Sequence, residues 1–206
     1  MNYLKTFIGA VLAGMSIAIG GLVFLSVDDR TIGAALFTVG LFTVCTMGLN
    51  LFTGKVCYVF QSSREYALAL PIIWIGNLAG TGLIALFASL TRNAPALTEK
   101  AAGMCKVKVE DSLLSLFFLG VLCNILIYIG VEGYKNIPHE VGKYLALLFG
   151  VMVFILCGTE HCVADMFYLW MGGAWSARAV ICVLVITLGN AAGGVLFPVL
   201  RSLQNR

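Results

Sequence analysis

The chain has 206 residues, 60% of them hydrophobic and 11% charged, with a formal net charge of +3. A soluble domain carries about 25% charged residues, so this composition excludes an ordinary soluble core and fits a protein of the bilayer. The small net charge, with no block of like sign, gives no reason to expect a nucleic-acid partner.

In chain order, the first apolar run is Thr6–Val27. Lys5 before it mimics a signal peptide, but the run ends at Asp28–Asp29–Arg30 without a small-x-small cleavage site and reads as a first membrane helix. The second run, Thr31–Gly54, closes on GLNLFTG; the third, Tyr66–Thr91, carries GNLAG. Residues 92–111 then form the longest predicted loop, with Arg92, Lys100, Lys106 and Lys108. Ser112–Val131 is the fourth run, followed by a polar 132–143 loop holding His139. The fifth, Tyr144–Trp175, is interrupted by CGTEHCVADMF, and the sixth, Ala179–Leu200, carries GNAAGG. Each reaches the roughly 20 residues that cross about 30 Å of hydrocarbon. The expectation is a single all-α transmembrane domain, 1–206, of six spans with both termini on one side. Basic residues set its orientation. With the N-terminus inside, Lys5, Lys55, Arg64, Lys135, Lys143, Arg201 and Arg206 lie inside, against Arg30, Arg92, Lys100, Lys106, Lys108 and Arg178 outside. Setting the long loop apart leaves a clear inside excess, so cytoplasmic termini are expected. The chain is short at both ends, and regulation by terminal segments is not expected.

The chain repeats itself. A Gly-led polar interruption followed by a Gly-Asn-x-x-Gly helix occurs as GLNLFTG then GNLAG, and again as GTEHCVA then GNAAGG. Three spans per half is an odd number, so the halves would run in opposite senses. An inverted three-helix repeat with broken helices in spans two and five points to a transport site near the midplane. Irregular backbone survives there only when buried in protein or lining a wet cavity.

His161 sits in the second break, between Glu160 and Cys162. An ionisable group at membrane depth is a functional candidate, and imidazole titrates near neutral pH. Thr53 occupies the other break, where its hydroxyl can hold the His161 ring or a permeant. Glu160 and Asp165 need cations if they are to stay ionised in hydrocarbon; a re-entrant part of the long loop could bring Lys106 or Lys108 to them. Asn77, Asn124 and Asn190 read as interhelical hydrogen-bonding residues at close-packed contacts. The cysteines at 45, 57, 105, 123, 157, 162 and 182 form no CxxC pair and no zinc pattern, so they read as packing residues. No metal, cofactor or catalytic group is expected.

With GLNLFTG, CGTEHCVADMF, GVLCN and the paired Gly-Asn motifs in this order, the sequence resembles the formate/nitrite transporter family over nearly its whole length. The resemblance implies an aquaporin-like protomer, assembled as a homopentamer with one pore per protomer in the inner membrane. It implies passive or proton-coupled passage of small monovalent weak-acid anions, formate first, with hydrosulfide or nitrite as alternatives. By resemblance His161 and Thr53 form the pore centre, and Lys108 meets Glu160 and Asp165 in a vestibule. Phe37, Phe52 and Ile127 fall on an outer constriction, and Leu41, Leu51 and Phe154 on an inner one. The family pattern has Asn at the position of Asp165, so Lys108 here faces two carboxylates. Either one carboxyl is protonated or the vestibule attracts anions less. A membrane redox protein is the reading from another class, but two His and no thiol pair offer it little.

Overall fold

The computed structural model describes residues 2–204, so Arg206, counted among the inside charges, lies outside the described residues. The chain folds into α1 (Tyr3–Ser26), α2 (Arg30–Thr46), α3 (Phe52–Val56), α4 (Arg64–Ser89), α5 (Ala94–Glu110), α6 (Leu113–Asn136), α7 (Glu140–Leu156), α8 (Cys162–Met171) and α9 (Ala177–Gln204). Polar residues bounding the apolar runs cap these helices. Asn2, Asp29, Ser63 and Ser112 each accept a backbone N–H of the first turn, as N-caps do.

Four helices, α1, α4, α6 and α9, have 24, 26, 24 and 28 residues and are apolar enough to cross a membrane. They pair, α1 along α4 and α6 along α9. Glycine sets both crossings. A Cβ on Gly80 would lie 2.1 Å from the Val11 carbonyl oxygen, and one on Gly193 would lie 2.1 Å from that of Val121. Such backbone contact is how helices associate where no hydrophobic effect drives them together. Gly193→Ala is therefore expected to push α9 off α6 and cost about 3 kcal/mol. Gly103→Ala on α5, where a Cβ meets nothing within 4 Å, should be neutral or slightly stabilising. Thermal unfolding of the purified pair of variants checks this. Outward faces carry Leu36, Phe42, Phe87, Phe118, Leu122 and Leu188, all exposed.

The second and fifth apolar runs do not form continuous helices. α2 and α7 each stop after 17 residues, three residues outside any helix follow a glycine, the last of them extended, and α3 and α8 resume the path.

Two sequence expectations are corrected. Residues 92–111 are not a loop but mostly helix α5. Pro95 sits in its first turn, where no N–H is needed, and Leu97, Ala101 and Cys105 make a buried stripe at helical spacing. The stripe packs on α8, so close that a Cβ on Gly172 would lie 2.8 Å from the Ala102 nitrogen. Lys100 Nζ bonds Asp28 Oδ1 at 2.8 Å on the surface, and this ammonium holds the Asp28 carboxyl below the usual range. The polar 132–143 loop is likewise shorter than expected: α6 runs on to Asn136, and His139 is the N-cap of α7.

Candidate functional site: two facing breaks and a buried histidine

Both breaks are built by the same local chemistry. α2 ends with Gly48 at φ +65° and α7 with Gly158 at φ +66°, the left-handed conformation glycine adopts at no steric cost. In the first, Gly48 N–H bonds Cys45 O and Leu49 N–H bonds Val44 O. In the second, Gly158 N–H bonds Ile155 O and Thr159 N–H bonds Phe154 O. This paired pattern is the Schellman ending, which satisfies the last carbonyls of a stopped helix. An asparagine from a neighbouring helix then starts each new one. Asn77 Oδ1 accepts Phe52 N–H, while its amide donates to Ala10 O and Asn50 O. Asn190 Oδ1 accepts Cys162 N–H, while its amide donates to Gly120 O and Glu160 O. Both asparagines also donate to a carbonyl of another long helix, Ala10 O in α1 and Gly120 O in α6. Holding the broken backbone is the further part that sequence reasoning missed, although the matched GN motifs carried the signal.

His161 and Thr53 meet at the centre, both buried, with Thr53 Oγ1 2.9 Å from His161 Nε2. His161 is also the N-cap of α8, and its Nδ1 accepts Ala164 N–H at 3.2 Å. A neutral imidazole has one donor and one acceptor nitrogen. With Nδ1 accepting, the proton lies on Nε2, which donates to Thr53. Thr53 keeps its own hydroxyl proton for another acceptor. Adding a second proton to the ring would require Nδ1 to give up the α8 cap. Asn124 steadies Thr53 from behind, its amide donating to Thr53 O at 3.0 Å.

Lys108, near the end of α5, reaches both carboxylates. Its Nζ bonds Glu160 Oε2 and lies 2.9 Å from Asp165 Oδ1. The side chains are 13%, 8% and 3% exposed, respectively, which is far from solvent for three charges. Asp165 Oδ2 is buried with no partner among the described residues. Lys106 takes no part; it sits at the surface 4.0 Å from Glu110. Arg30, which sequence reasoning did not single out, lines the same cavity, and its guanidinium donates to Ile155 O and Leu156 O at the end of α7. The cavity thus holds two cations and two carboxylates. Nothing in the sequence around Arg30 marks it, because its partners are backbone carbonyls 125 and 126 residues away.

Two cavities flank the centre. One, of about 310 Å³, is lined by Arg30, Phe37, Lys108, Phe154, Glu160, His161 and Asp165. The other, of about 470 Å³, is lined by Leu41, Leu51, Lys55, Tyr58, Tyr66 and Lys135, among others. This arrangement regroups the apolar residues. Phe154, placed by resemblance on the inner constriction, lines the Lys108 cavity with Phe37. Their rings are 5.9 Å apart and near perpendicular, and Phe154 stacks on His161 at 5.7 Å. Phe154 lies in the last turn of α7, which ends at Leu156, and packing on Phe37 of α2 and on the His161 ring holds it on that side. Leu41 and Leu51 face the other cavity. Phe52, placed on the outer constriction, and Ile127 are buried and line neither. Among the described residues no cluster of three or more His, Cys, Asp or Glu could hold a metal ion.

Comparison with known proteins agrees with this geometry. The probable formate transporter of Methanothermobacter thermautotrophicus is 30% identical, over 94% of this chain and 85% of its own. The nitrite transporter NirC of Salmonella typhimurium is 31% identical, over 87% and 72%. A solved pentameric formate channel with formate bound has the same fold, with a TM-score of 0.84 at 24% identity over 98% of this chain and 97% of that one. A sequence profile of formate/nitrite transporters matches residues 1–203, and the chain belongs to the formate/nitrite transporter family.

Proposed function

We propose that residues 1–206 form one channel domain that passes small monovalent weak-acid anions, formate first and nitrite second, with hydrosulfide the remaining candidate. In this reading α1, α2–α3 and α4 make one half, and α6, α7–α8 and α9 make the other. They form six spans in an inverted repeat of aquaporin-like design. The matched Schellman endings and the paired Asn77 and Asn190 support it. The protomers assemble as homopentamers in the inner membrane, each with its own pore and with both termini cytoplasmic. The solved channel of like fold is described as pentameric, and the excess of basic residues on one side supports the orientation. The Lys108 cavity then faces outward. A membrane redox role does not fit a family of transporters.

One observation carries the function: a buried His161–Thr53 donor pair, with a cavity on each side and apolar side chains between. Moving a bare anion across that dry centre costs several kcal/mol or more. A neutral acid avoids most of that cost. Protonating His161 would break the α8 cap, so the lower-cost route leaves the ring neutral and places the proton on the permeant. The acid forms at the edge of the cavity; as it crosses, the free Thr53 hydroxyl donates to it and Nε2–H turns from Thr53 Oγ1 to it. Phe37 and Phe154 close the Lys108 side; Leu41 and Leu51 close the other, with Phe52 and Ile127 packed behind. Asn124 holds Thr53.

A flux panel of formate, nitrite and hydrosulfide across proteoliposomes, with and without a pH gradient, tests the reading and ranks the substrates. No flux of any of the three would refute it. The same assay addresses Asp165. A carboxylate about 8 Å from an entering anion is worth about 2 kcal/mol of repulsion at an effective dielectric of 20. Asp165→Asn is therefore expected to lower the half-saturating concentration from the Lys108 side about tenfold or more.

A further inference from the structure

We propose that Lys55 and Lys135 form a second anion-receiving site, at the end of the path opposite Lys108, and that this mouth binds the anion more tightly. The inference rests on the pore reading above and names where the anion first lodges. Both lysines line the 470 Å³ cavity, which Leu41 and Leu51 bound. Among the described residues neither ammonium has a carboxylate within 4.0 Å. Lys135 Nζ instead lies 3.8 Å above the ring of Tyr58, a cation–π contact that places the charge without cancelling it. The nearby carboxylate, Glu132, is occupied elsewhere. Its Oε1 accepts from Arg201 Nη1 at 3.3 Å and its Oε2 from Tyr58 OH at 2.8 Å. The lining of this cavity therefore carries two positive charges and no negative one.

With both carboxylates ionised, Glu160 and Asp165 balance Lys108 and Arg30, and the Lys108 cavity carries no formal net charge. The contrast is written into matching positions. Lys55 lies seven residues after the break glycine Gly48, and Asp165 lies seven after Gly158. Where one half of the chain presents a carboxylate to its cavity, the other presents an ammonium. An apolar-walled cleft lined by one sign of charge concentrates its counter-ion. The ligand is a small monovalent anion such as formate or nitrite, which two unneutralised ammonium groups hold as point charges.

The test uses proteoliposomes with the protein in one orientation and nitrite entering from either side. Lys55→Gln/Lys135→Gln is expected to raise the half-saturating concentration from the lysine side about tenfold and leave the maximal rate and the Lys108 side unchanged. Lys55→Arg should behave as the native protein, which excludes a folding defect. Nitrite binding to the purified protein, followed by calorimetry, separates this inference from the pore reading. If no anion crosses but binding is lost in the double variant, the transport reading fails and the site stands. Unchanged binding and unchanged half-saturation on the lysine side would overturn the site.

Discussion

Lys108→Met is expected to destabilise the protein by about 3–5 kcal/mol, because it leaves two buried carboxylates without their cation. Glu160 and Asp165 are 8% and 3% exposed, so water cannot take over the role of the ammonium. For a chain of this size the unfolding midpoint should fall by roughly 10 °C. Adding Glu160→Gln and Asp165→Asn to the same variant removes the charges that Lys108 balances and should restore most of the loss. A thermal melt of the single and triple variants decides the matter. A triple variant no more stable than the single one would mean that Lys108 acts by packing its stem under α8 and not by its charge.

The second large effect is at His161. His161→Leu removes the ring donor at the dry centre and the cap of α8. A permeant acid then crosses with an unsatisfied polar group, which costs about 1–3 kcal/mol, so flux should fall about 10- to 100-fold. Helix stability should fall by about 1 kcal/mol from the lost cap. His161→Asn separates these effects. Asparagine is a good N-cap and can accept Ala164 N–H, and its amide still offers a donor toward Thr53. Its flux should stay within about tenfold of the native protein. The rise of flux with falling pH should survive as well, since the permeant and not the ring carries the proton. Flux that loses its pH dependence in His161→Asn would return the proton to the histidine.

Much of this was legible in the sequence. Absence of charge over twenty-residue stretches marked the long helices, and the glycine-led interruptions marked both breaks, since no other residue sits so readily at positive φ. The shortage of cations at membrane depth pointed to Lys106 or Lys108 as the partner of Glu160 and Asp165, and only the family resemblance singled out Lys108. Helix α5 was missed because its charges hide a three-residue buried stripe that only packing on α8 makes meaningful. The task of Asn77 was half visible. Its small neighbours signalled close packing, but its acceptor bond to Phe52, 25 residues back in the chain, exists only once α2 has broken. Phe154 was placed with Leu41 and Leu51 by resemblance; the cavity its ring faces is set by the packing of α7 on α2 and on the His161 ring, which the sequence does not record. Arg30 and the unneutralised Lys55 depend on what other parts of the chain leave unpaired.

The central claim is that each anion crosses with a proton of its own. Proteoliposomes holding a pH-sensitive dye, given an inward formate gradient with the membrane potential clamped, test it most directly. The account predicts that one proton enters with every formate and that no net current flows. A steady formate current without proton entry would contradict it.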